Sequence, residues 1–145
     1  MTTEPEPGIV LVGVQDGPGS RSVIKVAAQE ARYRAARLVA VMAYSGERAV
    51  VAAARPMATV SEERLAAEAA LRDAVVDALG DEADKVELRA ALGLAGRNLI
   101  DTARKVNAQL IVLAGRGSTS MLLGTVSQYV LRKAPCPVLV VPVSS

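Results

Sequence analysis

The chain has 145 residues, which is a typical length for one domain and is enough to bury a hydrophobic core. Apolar residues make up 51% of it but aromatic residues only 2%, so the core must be built from Val, Leu, Ile and Ala. The scarcity of aromatic side chains argues against a base-stacking RNA surface. The formal net charge of +2 is too small to indicate a nucleic-acid partner.

Other absences narrow the function classes further. The chain has no His, which removes the commonest general base and the commonest metal ligand. Its single Cys cannot form an internal disulfide, so nothing indicates an oxidising compartment. No segment reaches the roughly 20 apolar residues of a membrane helix, and the acidic, proline-containing segment 1–7 is not a signal peptide. The sequence therefore predicts a soluble cytoplasmic protein, with a disordered leader over residues 1–7 and one domain over residues 8–145.

The first part of the chain alternates between a strand, a helix and a second strand. An unbroken apolar run predicts a buried strand at Ile9–Val14, and the turn-forming residues 15–19 follow it. Ser20 is the predicted N-cap of a helix that runs to about Ala35. A second apolar run predicts the next strand at Leu38–Ala43.

The middle of the chain is less regular. Residues 44–60 show no clear period and are predicted to be a long loop, in which Val50–Ala54 could form a short helix. Ser61 is the predicted N-cap of the next helix, which Gly80 is expected to end. Apolar and charged residues partly alternate at Val86–Leu92, which predicts a third strand in a less buried position.

The last third of the chain contains the longest apolar runs. After a predicted turn at Gly93–Gly96 and a third helix, the continuous apolar run Leu110–Ala114 predicts a strand buried on both faces of a parallel sheet. A fourth helix is predicted to begin at Gly124-Thr125. Pro135 and Pro137 precede the last strand, which predicts that this strand lies at a sheet edge, because proline lacks a backbone N–H.

This order of elements predicts an α/β protein with a parallel sheet and helices on both faces. In such sheets ligands bind beyond the carboxyl ends of the strands, where the strand order reverses. The two glycine-rich loops, after the first and fourth strands, are expected to meet there. Free N–H groups and the dipole at the start of the fourth helix would favour a phosphate. The plainer alternative stays open, because such loops need glycines as turns whatever the ligand.

The sequence resembles the universal stress protein family from Ile9 to Val143. The resemblance rests on Val12-Gly13-Val14 leading into Gly17-Pro18-Gly19-Ser20, on the strand at residues 38–43, on Gly93 with the helix after it, and most strongly on Leu122–Leu131 continuing into Ala134-Pro135-Cys136-Pro137-Val138-Leu139-Val140-Val141. It implies a single-domain, open, five-stranded parallel sheet of order 3-2-1-4-5, similar to the adenine nucleotide alpha hydrolase fold. It also implies a homodimer paired through the last strand, Val138 to Val143. Many members bind ATP at the ends of strands one and four, and others bind no nucleotide.

The resemblance also implies a nucleotide site. The implied site residues are Gln15, Asp16, Ala43, Gly115, Arg116, Gly117, Gly124, Thr125, Val126 and Ser127. In ATP-binding members an Asp ends the first strand, whereas this chain has Gln15 there and Asp16 one residue later.

The loop after the fourth strand departs from the family pattern as well. ATP-binding members carry Gly-x-x-Gly, nine residues, and then Gly-Ser or Gly-Thr. Here Ala114 stands at the first glycine, unless Gly115 takes its role by a shift of register, and six residues separate Gly117 from Gly124. The loop is therefore about three residues short, which removes up to roughly 10 Å of reach at about 3.5 Å per residue. Such a loop is expected to wrap a triphosphate poorly.

Three single residues each have two possible roles, and a fourth has one. Asp16 is a ribose or Mg²⁺ partner, or else a solvated turn residue. Arg116 is a phosphate contact or a surface charge. Cys136 is expected to be a small buried residue rather than a reactive thiol. Met42 stands where many family members carry His and is expected to pack in the core.

Three functions follow as hypotheses. The first is a non-catalytic stress-response regulator, a dimer with a degenerate nucleotide site and weak or no ATP binding. The alternative is an ATP-binding protein with a shortened phosphate loop and weak ATPase activity. The third is an interaction module for a protein partner, with a collapsed site. Catalysis is disfavoured because Thr125 and Ser127 have no visible activating base, and no metal, membrane or nucleic acid is expected.

Overall fold

The structure is a computed structural model that describes residues 6–17, 19–44, 57–115 and 124–143. Within these ranges strands and α-helices alternate. The elements are β1 (Ile9–Gly13), α1 (Ser20–Tyr33), β2 (Arg37–Tyr44), α2 (Met57–Leu79), β3 (Glu87–Leu92), α3 (Ala95–Val106), β4 (Leu110–Gly115), α4 (Thr125–Lys133) and β5 (Val138–Pro142). A 3-10 helix at Gly80–Lys85 connects α2 to β3.

The five strands form one parallel sheet in the order β3-β2-β1-β4-β5. This confirms the expected fold class and strand order. The long apolar runs of β1 and β4 occupy central positions, and β3 and β5 lie at the two edges. From β1 the chain first adds β2 and β3 on one side of β1, and it then adds β4 and β5 on the other side. The strand order therefore reverses between β1 and β4. The carboxyl ends of β1 and β4 therefore border the crevice where such folds bind ligands.

Helices cover both faces of the sheet, and the side chains of each strand alternate between the two layers. Val10 of β1 packs in the core layer with Leu71 of α2. Its neighbour Leu11 packs in the opposite layer with Leu99 of α3 and Val130 of α4. The alternation places α1 and α2 on one face and α3 and α4 on the other, as expected for right-handed crossovers.

Two predicted helix starts are wrong. The N-cap of α1 is Gly19, in the left-handed conformation with φ 98°, and Ser20 is the first helical residue. A Cβ on Gly19 would lie 2.8 Å from Cγ1 of Val143, so the close approach of the chain after β5 decides this cap. The helix α2 begins at Met57, which leaves Ser61 inside it. Met57 and Ala58 are good helix formers, and an interior Ser costs only a fraction of a kcal/mol.

Smaller differences concern the ends of other elements. Gly80 ends α2 with φ 57°, as predicted, but the chain continues as a 3-10 helix. The predicted turn at Gly93–Gly96 is shorter, because α3 already begins at Ala95. Gly93 has φ 116° and donates its N–H to the carbonyl oxygen of Tyr44, which belongs to β2 and not to the loop. The predicted segments 1–5 and Val50–Ala54 lie outside the described residues.

The edge position of β3 agrees with its mixed sequence. Each of its residues is half-buried or exposed. Glu87 pairs with Arg89 on its own strand and with Arg37 of β2, where the N–O distance is 3.5 Å. Exposed ion pairs of this kind contribute little to stability, so they mark the solvated side of the sheet rather than hold it together.

Gly13, the last residue of β1, allows α3 to lie close to the sheet. A Cβ at this position would lie 2.8 Å from Cδ1 and 3.2 Å from Cδ2 of Leu99. Leu99 is itself buried in the layer between the sheet and α3, so its tip has little room to move. We expect Gly13→Ala to lower the free energy of unfolding by about 1–3 kcal/mol, measured by urea denaturation.

The same substitution in a Leu99→Ala background is the control. Removing the leucine tip makes room for the new methyl group, so the added cost of Gly13→Ala should fall well below its cost in the unmodified protein. Costs that simply add in the double variant would contradict a steric role for this glycine.

Candidate functional site

A cleft opens at the carboxyl ends of β1 and β4, between the loop after β1 and the first turn of α4. Its volume is about 260 Å³. Seven of the ten predicted site residues line it: Gln15, Asp16, Gly115, Gly124, Thr125, Val126 and Ser127. Arg116 and Gly117 lie outside the described residues, so their roles remain predictions.

A smaller apolar pocket adjoins the cleft. Its volume is about 40 Å³, and it contains Ala43, the eighth predicted site residue. Val41, Leu99 and Leu113 complete most of its apolar wall. The pocket shares Gln15 and Val126 with the cleft, so the two cavities adjoin each other. Together they offer an apolar compartment beside a more polar one.

The first turn of α4 forms one wall of the cleft. Its N-cap, Gly124, has an extended backbone with φ −62° and ψ 165° and no side-chain cap hydrogen bond. The carbonyl of Gly124 accepts the first helical hydrogen bond, from the N–H of Gln128 at 3.0 Å. The N–H groups of a first helical turn have no partner inside the helix. This wall can therefore donate hydrogen bonds to an anion, which the helix dipole also favours.

Ser127 is part of that turn, but its hydroxyl is already used. The side chain is 2% exposed, and its Oγ donates to the carbonyl oxygen of Ala114 at 3.3 Å. This bond ties α4 to the end of β4. Ser127 therefore positions the helix terminus rather than presenting a free hydroxyl proton to a ligand.

Gly115 has a structural reason to be glycine that does not involve a ligand. A Cβ on it would lie 2.6 Å from Cγ1 of Val140 on β5. Its carbonyl accepts a hydrogen bond from the N–H of Val143 at 3.3 Å. The glycine lets β5 pack closely along β4, and the chain after β5 then becomes a wall of the cleft.

The charge of the described lining of the cleft is unfavourable for a polyphosphate. Asp16 is the one charged residue among the described residues that line it. Gln15, at the end of β1, is neutral and can only contribute an amide. A carboxylate without a neighbouring cation repels phosphate groups, so on these residues the binding of an anion depends on the backbone N–H groups of α4.

The structure shows the surroundings of Cys136 and Met42, for which the sequence provides only expectations. Cys136 is half-buried against the α3–α4 layer, and burial raises the pKa of its thiol. A raised pKa leaves less of the reactive thiolate at neutral pH, as expected for a packed cysteine. Met42 is 5% exposed and packs in the α1–α2 layer, which confirms that it is a core residue.

The described residues form neither a metal-binding cluster nor a membrane-spanning helix. Across residues 6–17, 19–44, 57–115 and 124–143, no three or more Cys, Asp and Glu side chains come together in a group that could hold a metal ion. None of the helices in these ranges is long and apolar enough to cross a membrane.

Sequence reasoning missed several residues of the cleft. Gly19, Ser20, Val23 and Val143 all line it. Val143 had a signal that could have been used. Because β5 runs parallel to β4, the residue after its end must lie at the same edge of the sheet as the glycine loop.

The sheet order and the position of the cleft define an open, doubly wound α/β protein with its candidate site at the switch point. The family model of the universal stress protein family matches residues 8–142. The chain therefore belongs to the universal stress protein family.

Individual relatives agree with this assignment. A universal stress protein of Mycobacterium tuberculosis is 33% identical over 141 residues, which cover 94% of this chain and 46% of that protein. The chain thus spans about half the length of the curated relatives it matches. UspA from Lactobacillus plantarum shares the fold, with a TM-score of 0.73 and 21% identity over 95% of this chain and 99% of its own. A universal stress protein in complex with cAMP has a TM-score of 0.65 and 26% identity, covering 95% and 98% of the two chains.

Proposed function

We propose that this protein is a non-catalytic, cytoplasmic stress-response regulator that acts as a dimer. Its nucleotide site is degenerate and binds ATP weakly or not at all. The observation that carries this proposal is the makeup of the cleft. An uncapped helix terminus offers N–H groups, but the one charged group among the described lining residues is the carboxylate of Asp16.

The paired cavities support a nucleotide as the ligand class. The apolar pocket of about 40 Å³ can hold one edge of a base whose remainder lies in the adjoining cleft of about 260 Å³. The start of α4 suits a phosphate, because free N–H groups and the helix dipole favour an anion. The similar universal stress protein bound to cAMP supports the same ligand class. A single phosphate matches a single helix terminus better than three phosphates do.

The weak binding of ATP follows from charge and loop length. A triphosphate brings several negative charges, and the described wall of the cleft contains no cation to offset them. The loop between Gly117 and Gly124 is also short by about three residues against the pattern of ATP-binding members. Both features reduce the number of charge-assisted hydrogen bonds to the outer phosphates, and each lost bond costs about 1.5–3 kcal/mol.

A non-catalytic role is supported by the lack of an activated nucleophile among the described residues of the cleft. The chain has no His to act as a base. The hydroxyl of Ser127 donates to a backbone carbonyl, and Asp16 is the one carboxylate among the described residues of the cleft. The competing proposal is an ATP-binding protein with weak ATPase activity, in which the short loop reorganises around the triphosphate.

Native mass spectrometry of freshly purified protein tests the proposal, with the released small molecules identified. We expect a dimer that carries a nucleotide with one phosphate or none. Calorimetric titration should then give a dissociation constant for AMP at least about tenfold lower than for ATP with Mg²⁺. Stoichiometric bound ATP, or ATP turnover above the rate in buffer, would favour the competing proposal.

The proposed dimer interface is the segment Val138 to Val143, which contains the edge strand β5. An edge strand presents unpaired backbone groups that a second strand can satisfy. The N–H of Val143 faces β4, where it donates to Gly115. Along a strand the N–H groups point alternately to one side and the other, so residues three apart point in opposite directions. The N–H of Val140, three residues before Val143, therefore faces away from β4. Pro142, which has no N–H, occupies an outward position of the same kind.

Val140→Pro is therefore expected to weaken the dimer at least about tenfold and to leave the bond pattern between β4 and β5 intact. Proline removes the outward N–H that a second copy would need. Sedimentation velocity across a concentration series measures the association. The thermal unfolding midpoint at low protein concentration shows whether the monomer still folds. A folded variant that dimerises like the unmodified protein would place the interface elsewhere.

A further inference from the structure

A third cavity lies between the N-terminal ends of α3 and α4. We call it the α3–α4 groove, and its volume is about 300 Å³. Its lining is mostly apolar and consists of Leu94, Ala95, Gly96, Arg97, Thr125, Val126 and Tyr129. The nucleotide proposed above occupies the cleft and the apolar pocket, and no part of it occupies this groove.

The α3–α4 groove adjoins the candidate nucleotide site. Thr125 lines both the groove and the cleft, and Ala95 lines both the groove and the apolar pocket. Val126 lines all three cavities. A ligand seated in the cleft and pocket therefore lies directly beside the groove.

The groove offers mostly apolar contact, and Arg97 is the one charged residue in its described lining. A Cβ on Gly96 would lie 2.8 Å from Cδ1 of Tyr129, so this glycine lets the aromatic ring lie directly on α3. The Nζ atom of Lys133 lies 5.7 Å from the centroid of the same ring. Leu94 is 45% exposed at the rim, although a side chain of this size gains by leaving water.

The geometry points to a nucleotide phosphoester that carries an apolar group as the ligand of the combined site. The base occupies the apolar pocket, the phosphate lies at the start of α4, and the apolar group occupies the α3–α4 groove. This inference rests on the proposed nucleotide site and names its ligand class more narrowly.

The position of Thr125 indicates that the apolar group is attached to the phosphate of the ligand. It is the first residue of α4, so a phosphate held at that helix terminus has Thr125 beside it, and the groove begins on the far side of the same residue. A phosphodiester has one negative charge fewer than a free phosphate monoester. That suits a cleft whose described lining contains a carboxylate and no cation.

Two matched probes test the inference by calorimetric titration: the methyl ester and the octyl ester of AMP. Burying several methylene groups in the groove should make the octyl ester bind at least about tenfold more tightly, because each buried methylene contributes more than a factor of three. Leu94→Ser and Tyr129→Ala should each remove most of this gain while leaving the affinity for the methyl ester within about threefold. Leu65→Ser should keep the gain, because Leu65 is a 61% exposed leucine on α2, on the opposite face of the sheet.

The remaining outcomes separate the two proposals. If both esters bind with equal affinity, the nucleotide site stands and the inference about the groove is overturned. If neither ester binds, the proposed nucleotide site fails and the inference fails with it. A gain that survives in Leu94→Ser and Tyr129→Ala would place the octyl chain elsewhere on the surface. Octyl phosphate that binds as tightly as the octyl ester would show that the nucleoside contributes nothing.

Discussion

Insertion of three residues between Gly117 and Gly124 is expected to raise the affinity for ATP about a hundredfold. The insertion restores the nine-residue spacing that the family resemblance implies for ATP-binding members. A longer loop can bring two further donors to the outer phosphates, and each charge-assisted hydrogen bond contributes about 1.5–3 kcal/mol. Two such bonds correspond to a factor of about a hundred or more, because about 1.4 kcal/mol is tenfold.

Calorimetric titration with ATP and Mg²⁺ measures this change, and AMP is the internal reference. The affinity for AMP should stay within about threefold, because its phosphate already has the start of α4. A three-residue insertion at Asn107, between α3 and β4 at the opposite end of the sheet, is the matched control and should leave both affinities unchanged. If the unmodified protein binds ATP as tightly as the insertion variant, the short loop is not what limits binding.

Val126→Trp is expected to weaken the binding of AMP at least a hundredfold. Val126 is half-buried at the one point where the apolar pocket, the cleft and the α3–α4 groove share a wall. The apolar pocket has a volume of only about 40 Å³, so the added rings fill the space assigned to the base.

The matched control is Val76→Trp on α2, where the valine is 48% exposed and lies on the other face of the sheet. This variant should bind AMP like the unmodified protein. Circular dichroism and the unfolding midpoint show whether Val126→Trp keeps its fold, since overpacking costs about 1–3 kcal/mol. A folded Val126→Trp variant with unchanged affinity would mean that the base does not occupy this pocket.

Periodicity in the sequence was a good guide to the sheet. The unbroken apolar runs predicted a buried strand for β1 and a strand buried on both faces for β4, and both strands are central in the sheet. The mixed run of β3 predicted a less buried position, and β3 is an edge. These predictions succeed because a strand buried on both faces is apolar throughout, whereas a strand with a solvated face alternates apolar and polar residues. The strand order itself came from the family resemblance.

Local rules failed where distant parts of the chain decide the outcome. Ser20 and Ser61 satisfy the residue preferences of an N-cap, yet neither caps a helix here. At α1 the backbone is drawn close to Val143, more than a hundred residues away in sequence, and only a glycine fits. Capping preferences are worth about 1 kcal/mol, which tertiary packing readily exceeds.

The sequence by itself determined the alternation of strands and helices and the glycines at the ends of the site, such as Gly115 and Gly124. Only the tertiary structure decided that the hydroxyl of Ser127 donates a hydrogen bond to the carbonyl oxygen of Ala114. It also decided that Val143 lines the cleft and that Val126 lines three cavities. The physical reason is the range of the interactions. Burial pattern and turn chemistry act within a few neighbouring residues, whereas a cavity is made by side chains from elements that meet only when the sheet has formed.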